Sequence, residues 1–180
     1  MPADVYLQSS LLDDFDVKVG QGMRAVRLKQ PRARRTLANT AARIHCTHQQ
    51  LYKYETGQDS ISLHRMMMFC MEMNVTPGKL LGFLGVAAMV PIPLHVVSEI
   101  EMREAVCAAF AAQRETLKLT KSAVAERIGV CLRQYRHYES GSHRIRPQTY
   151  FKIASVLQMT PFQAALLAVT AAQRPLGVRP

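Results

Sequence analysis

Apolar residues recur at helical spacing along most of the chain, and no segment alternates with the two-residue period of a strand. Between residues 98 and 167 they mark out five short helices. Ser98-Glu99-Ile100-Glu101 has the form of a capping box, in which a serine and a glutamate three residues on satisfy each other's free amides. Val106, Phe110 and Gln113-Arg114 continue one face of the helix that starts there. Thr120 caps a second helix with Val124, Ala125 and Ile128 inward, and Gly129 stops it by accepting the left-handed backbone that other residues resist. A third helix is predicted from about Leu132 to Glu139, with Tyr135 and Tyr138 inward and Gly141 at its end. Pro147 suits the first turn of a fourth, which buries Tyr150, Phe151, Ile153, Ala154 and Leu157. Thr160-Pro161-Phe162-Gln163 opens a fifth with an N-cap, a first-turn proline and a capping-box glutamine.

The first half follows the same course. Val19, Met23 and Val26 lie on helix 1, Thr36 caps helix 2, and Ala41 and Ile44 face inward. Thr47-His48-Gln49-Gln50 reads as a capping box for helix 3, with Leu51 and Tyr54 buried. Ser62 caps helix 4, which buries Leu63, Met66, Met67, Cys70 and Met73, and Thr76-Pro77 opens helix 5. The likeness extends to identities. At a shift of 84 residues, the run from Gln50 to Gly57 (QLYKYETG) lies over the run from Gln134 to Gly141 (QYRHYESG), Ala41-Ala42-Arg43-Ile44 over Ala125-Glu126-Arg127-Ile128, and Thr76-Pro77 over Thr160-Pro161. Two copies of a unit this long predict a duplicated domain, because solenoid repeats are shorter and need at least three copies to bury a core.

These residues resemble the XRE family, the helix-turn-helix domains typified by phage Cro and phage repressors. The family pattern of a capped helix 2 with a central alanine, a short turn, and a helix 3 ending in Tyr-Glu-x-Gly is met by Thr36, Ala41, Thr47, Leu51 and Tyr54-Glu55-Thr56-Gly57. It is met again by Thr120, Ala125, Tyr135 and Tyr138-Glu139-Ser140-Gly141. The resemblance covers about residues 17 to 84 and 98 to 167. It departs from the pattern at several places. Roughly three extra residues, around Pro31-Arg32-Ala33-Arg34, separate helices 1 and 2 of the first copy. His45 stands where the family often has a turn glycine, Leu37 where it often has a phosphate-binding glutamine, Cys131 where helix 3 wants a cap, and Leu132 where a polar base reader is common.

The resemblance implies an all-α fold of two tandem five-helix, lambda-repressor-like domains, over 17–85 and 98–170, with a linker at 86–97. An acidic segment at 1–16 and a tail at 171–180 flank them. In such a motif helix 3 lies in the major groove while turns and helix N-termini hold phosphates. His48, Gln49, Gln50, Tyr52 and Lys53 then face bases in the first copy, and Arg133, Gln134, Arg136 and His137 in the second. Glutamine bonds adenine N6 and N7 together and arginine bonds guanine O6 and N7, each worth ~1–3 kcal/mol of discrimination. Arg32, Arg34, Arg35, Thr36, Arg65, Lys121, Arg144 and Arg146, in turns or at helix starts, are the expected phosphate contacts.

Charge supports the partner that the pattern suggests. The chain of 180 residues carries a net charge of +10, and its first 16 residues hold Asp4, Asp13, Asp14 and Asp16 but no lysine or arginine. The basic excess therefore sits in the two copies, where a polyanion would bind. Four scattered cysteines, with no C-x-x-C pair and no signal-like basic start, point to a reducing, cytoplasmic setting. The apolar run from Leu80 to Val97 is broken by Pro91, Pro93 and His95, so it reads as a buried helix end and linker rather than a membrane span.

Other chemistry is weakly represented. His45-Cys46-Thr47-His48 lacks the spacing of a zinc site, and Met66, Met67, Met68, Met71 and Met73 have the spacing of a core face. No cofactor is expected. No G-x-S-x-G, P-loop, dinucleotide fingerprint or triad is legible, so an enzyme is not expected. The sequence thus predicts a DNA-binding transcriptional regulator of the repressor type that reads two unlike half-sites in double-stranded DNA. A second copy of the chain, RNA polymerase or another protein are the further partners. The alternative is a protein-interaction module of the same fold, an antitoxin or polymerase-contacting adaptor. The apolar stretches Leu80 to Val97 and Phe162 to Val169 exceed what a five-helix unit needs, and serve either to join the copies or to form a dimer interface.

Overall fold

A computed structural model describes residue 12, residues 14–86 and residues 90–173. Among these the chain is helical throughout, with no strand. The helices are α1 (Phe15–Leu28), α2 (Leu37–Arg43), α3 (His48–Glu55), α4 (Leu63–Met73), α5 (Gly78–Leu81), α6 (Glu99–Thr116), α7 (Lys121–Ile128), α8 (Leu132–Glu139), α9 (Pro147–Val156) and α10 (Pro161–Gln173). A 3-10 turn, Gly82–Leu84, follows α5. Most of the acidic segment and residues 174–180 lie outside the described residues, as do 87–89 of the linker.

Local chemistry sets most of these boundaries. The side chains of Thr36, Thr47, Ser62 and Thr120 each accept the amide three residues on, at 3.1–3.2 Å, an interaction typically worth ~1 kcal/mol. Ser98 with Glu101 and Thr160 with Gln163 form complete capping boxes. Thr47 does not, because the Gln50 side chain turns away to Asp59 Oδ2 at 2.7 Å. Cys131 caps α8 with no side-chain bond, as its thiol is a poor acceptor. The first helix starts at Phe15, inside the stretch expected to be an acidic segment, because Phe15 is buried and Asp16 supplies favourable negative charge in the first turn. At the other end α10 continues past residue 170 to Gln173, burying Ala171 and Ala172.

His45 adopts φ +52°, and Gly129 takes the same place in the second half at φ +75°. A left-handed conformation costs an L-residue with a Cβ ~1–2 kcal/mol, partly offset by glycine's own entropic cost of ~0.5–1 kcal/mol. His45→Gly is therefore expected to stabilise the protein by about 0.5–1 kcal/mol, which a rise in the urea midpoint would register; an unchanged or lowered midpoint would contradict it.

The buried residues form one continuous cluster from Leu12 to Ala172. Helix α4 shows why. Met66, Met67, Met68, Phe69 and Cys70 are all buried in succession, which a helix achieves only when covered on every side. It lies between the rest of the first half and α10, whose buried face is built of Ala164, Ala165, Ala168, Val169, Ala171 and Ala172. Phe15 packs edge-on against Phe83 and tilted against Phe151, with centroids 5.4 and 5.9 Å apart. The linker docks on the end of α10, with Val97 N–H on the Ala172 carbonyl at 2.8 Å and a His95 ring nitrogen 2.9 Å from that of Gln173. Helix α10 thus joins the halves through α4, while Leu94, Phe162 and Leu166 stay exposed. Among the described residues no helix is long and apolar enough to cross a membrane.

Candidate nucleic-acid interface

Each half presents a short capped helix, a turn, and a third helix with one buried edge. In α3 the buried edge is Leu51, Tyr54 and Glu55; His48, Gln49, Tyr52 and Lys53 stand in solvent. The side chains of these four make no hydrogen bond or ion pair among the described residues, so their donors and acceptors are open to a ligand. In α8 Tyr135 is buried and Arg133, Gln134 and Arg136 are exposed. Arg133 and Arg136 are likewise unengaged among the described residues.

Three expected base readers are held by the protein itself. Gln50 bonds Asp59, Gln134 Nε2 donates to the Tyr138 hydroxyl at 2.7 Å, and His137 Nδ1 lies 2.9 Å from Ser142 Oγ, its ring 4.5 Å from that of His143. Each would have to give up that contact to read a base. Spacing alone could not distinguish them from their free neighbours, since their partners lie on the following turn or loop.

The expected phosphate contacts divide in the same way. Arg32, Arg34, Arg35 and Thr36 are exposed in the turn before α2. That turn is fixed by the Asn39 side chain on the Ala33 carbonyl at 2.6 Å and the Thr40 hydroxyl on the Arg34 carbonyl at 2.9 Å. Arg146 is exposed at the start of α9 with no partner among the described residues. Arg65, by contrast, donates to the Tyr54 hydroxyl at 2.9 Å and the His45 carbonyl at 3.4 Å. Lys121 Nζ sits 2.5 Å from Glu139 Oε2, and Arg144 Nε 3.1 Å from Glu99 Oε1.

What aims the third helices is a pair of buried arginines: Arg114, which the sequence pattern set on a helix face without a role, and Arg27, which it did not single out. Arg27 on α1 grips Glu55 at the end of α3 with Nε–Oε1 at 2.6 Å and Nη2–Oε2 at 2.7 Å, and its Nη1 donates to the Arg35 carbonyl. Arg114 on α6 donates from Nε to Glu139 Oε1 at 2.6 Å and from Nη1 to the Leu119 carbonyl at 3.0 Å. In both halves one guanidinium ties helix 1, the end of helix 3 and the residue just before the cap of helix 2 together. The arginines sit 28 and 25 positions before their glutamates, which is the three-residue surplus between helices 1 and 2 of the first half. Because of that surplus the 84-residue register does not superimpose them, although both Tyr-Glu-x-Gly glutamates were in plain view.

Burial pushes the Glu139 carboxyl up, but the hydrogen bonds and charges of Lys121 and Arg114 outweigh it and hold the group below the ordinary carboxylate range. A depressed folded value stabilises the protein above the unfolded value of about 4.3, and that contribution is lost as pH falls from there through the folded value. Glu139→Gln should accordingly lower stability at pH 7 and flatten its loss below about pH 4.3. Urea midpoints at neutral pH and in that acid window test this, and parallel acid losses in the two proteins would contradict it.

Between the halves lies a cleft of ≈ 580 Å³ with Thr47, Gln50 and Asp59 to Ser62 on one side and Arg144 to Arg146 on the other. Residues 110–163, from within α6 to the start of α10, match the family model described as Helix-turn-helix. The matched stretch includes α7 and α8, the pair with Arg133 and Arg136 at its surface. No curated protein and no solved structure matches the chain.

Proposed function

We propose that the protein is a sequence-specific, double-stranded DNA-binding transcriptional regulator made of two tandem five-helix units, 17–85 and 98–170, whose third helices α3 and α8 read unlike half-sites. One observation carries this reading. Both third helices are clamped by the same arginine–glutamate–carbonyl arrangement and both present unengaged side chains of base-reading type, His48, Gln49 and Lys53 on one and Arg133 and Arg136 on the other. The clamp orients a helix without using its outer face, which is what a helix entering the major groove requires. Arg32, Arg34, Arg35 and Arg146 supply charge beside it for the phosphates.

Competition binding of the purified chain to genomic fragments at physiological salt tests the reading. Specific regulators exceed their own non-specific binding by at least ~10³, whereas an adaptor with a basic surface binds all fragments alike. A ratio near one would overturn the proposal and favour the protein-interaction role.

A further inference from the structure

Two recognition helices on one chain can be arranged in two ways that DNA distinguishes. If the second unit is a head-to-tail copy of the first, both helices enter the groove in the same sense and the half-sites are direct repeats. If a two-fold rotation relates them, the half-sites are inverted. A two-fold leaves a signature in the contacts: whatever residue i of one unit touches in the other, the equivalent of i is touched in return.

Three sets of contacts between the halves have that signature. A ring nitrogen of His64, the second residue of α4, lies 2.9 Å from the Val97 carbonyl, just before the cap of α6. Gln148, the second residue of α9, donates at 2.9 Å to the Leu12 carbonyl, two residues before the cap of α1. His64 and Gln148 occupy the same place in the repeat, and each reaches the approach to the other half's first helix. At the start of α1 Phe15 packs on Phe151 of α9, and at the start of α6 Met102 lines a recess with Leu63 and His64 of α4. The loops that follow α3 and α8 face one another across the cleft, Ser60 to Ser62 opposite Arg144 to Arg146. A segment that faces its own equivalent lies on an axis. A head-to-tail arrangement yields one member of each such pair and not the other.

From this reciprocity we infer that the chain is its own dimer: a pseudo-two-fold relates α3 to α8, and one chain, without a second copy, reads two unlike half-sites in inverted orientation at a fixed spacing. The inference rests on the DNA-binding reading above. Fixed spacing follows from the single continuous core, in which α4 is packed against α10 and the linker is bonded along the end of α10.

The test uses the full chain and the best duplex recovered by binding-site selection. Three versions are compared: the selected duplex, one with a single half-site reversed, and one with five base pairs inserted between half-sites, about half a helical turn. Sedimentation of the complex gives the number of chains per duplex. The expected result is one chain per duplex, inverted half-sites, and a loss of about 10²-fold in affinity for either altered version, since each base pair lost typically costs a factor of ten or so. Directly repeated half-sites, indifference to reversal or insertion, or two chains on each duplex would overturn the inference while leaving sequence-specific binding standing. If selection enriched no sequence at all, the DNA-binding reading would fall and this inference with it.

Discussion

Glu55→Ala should cost the protein about 3–5 kcal/mol, the range for leaving one partner of a buried ion pair without the other. Both side chains are nearly out of solvent, 3 % and 9 % exposed for Glu55 and Arg27, so water cannot take the place of the lost carboxylate. Against a total stability of ~5–15 kcal/mol for a domain, such a loss is a large fraction. The damage is also placed where it matters for function. Without Glu55, the Arg27 guanidinium no longer ties α1 to the end of α3, and its bond to the Arg35 carbonyl no longer couples α3 to the turn that carries Arg32, Arg34 and Arg35. Urea unfolding measures the cost. The double replacement Arg27→Met, Glu55→Leu is the informative companion, because exchanging a buried pair for apolar side chains of similar size is often neutral or stabilising. If Glu55→Ala cost less than ~1 kcal/mol, in the range of an exposed pair, the clamp would have no special standing.

Gly20→Ala should be nearly as damaging, for a steric reason. A Cβ built on Gly20 would lie 2.2 Å from the Tyr54 carbonyl oxygen and 2.9 Å from the carbonyl carbon and oxygen of Glu55. These are backbone atoms at the end of α3, which cannot rotate aside, so α1 must lift away and stretch the Arg27–Glu55 pair. Alanine's advantage over glycine inside a helix, ~0.5–1 kcal/mol, is too small to compensate. A net loss of about 3 kcal/mol is expected, at the upper end of overpacking costs. Gly82→Ala, where an added Cβ meets nothing within 4 Å, should be close to neutral in the same denaturation experiment. Equal effects from the two substitutions would show that close approach of α1 to α3 is not the cause.

The second half makes the same junction differently. There Cys107 stands against α8, its thiol donating to the Tyr138 carbonyl at 2.9 Å, so a side chain fills the space that Gly20 leaves to backbone contact. This difference, like the unequal placing of Arg27 and Arg114, lies in helix 1, where the repeat is weakest in sequence. The turn from helix 2 into helix 3 has the same length in both copies, although His45, Cys46 and Thr47 face Gly129, Val130 and Cys131, so its place could be read directly. Thr36, Thr47, Ser62, Ser98, Thr120 and Thr160 declare helix starts through bonds that span three residues, so the sequence alone placed them. The inward positions of α3 and α9 followed from periodicity for the same reason.

What escaped was everything set by distant partners. Met68 and Phe69 break the amphipathic pattern of α4, a helix that is packed against α10 of the other half as well as lying in its own. Gln50, Gln134, Arg65 and Lys121 have the chemistry expected of DNA contacts, yet Asp59, the Tyr138 and Tyr54 hydroxyls and Glu139 already engage them. No local rule distinguishes an arginine that waits for a phosphate from one that positions a helix; the difference is whether a carboxylate or carbonyl lies within reach in the fold.

The central claim, that α3 and α8 each read DNA and read it differently, is tested most directly by binding-site selection on Gln49→Ala and Arg133→Ala beside the unaltered chain. Both side chains are exposed and unengaged among the described residues, so neither substitution should disturb the fold. Gln49→Ala is expected to relax preference at base pairs of one half-site and Arg133→Ala at base pairs of the other, each by ~1–3 kcal/mol if the contact is bidentate. Loss of preference at the same base pairs in both variants, or an Arg133→Ala protein that selects the unaltered sequence, would contradict the account and leave the second unit a structural copy.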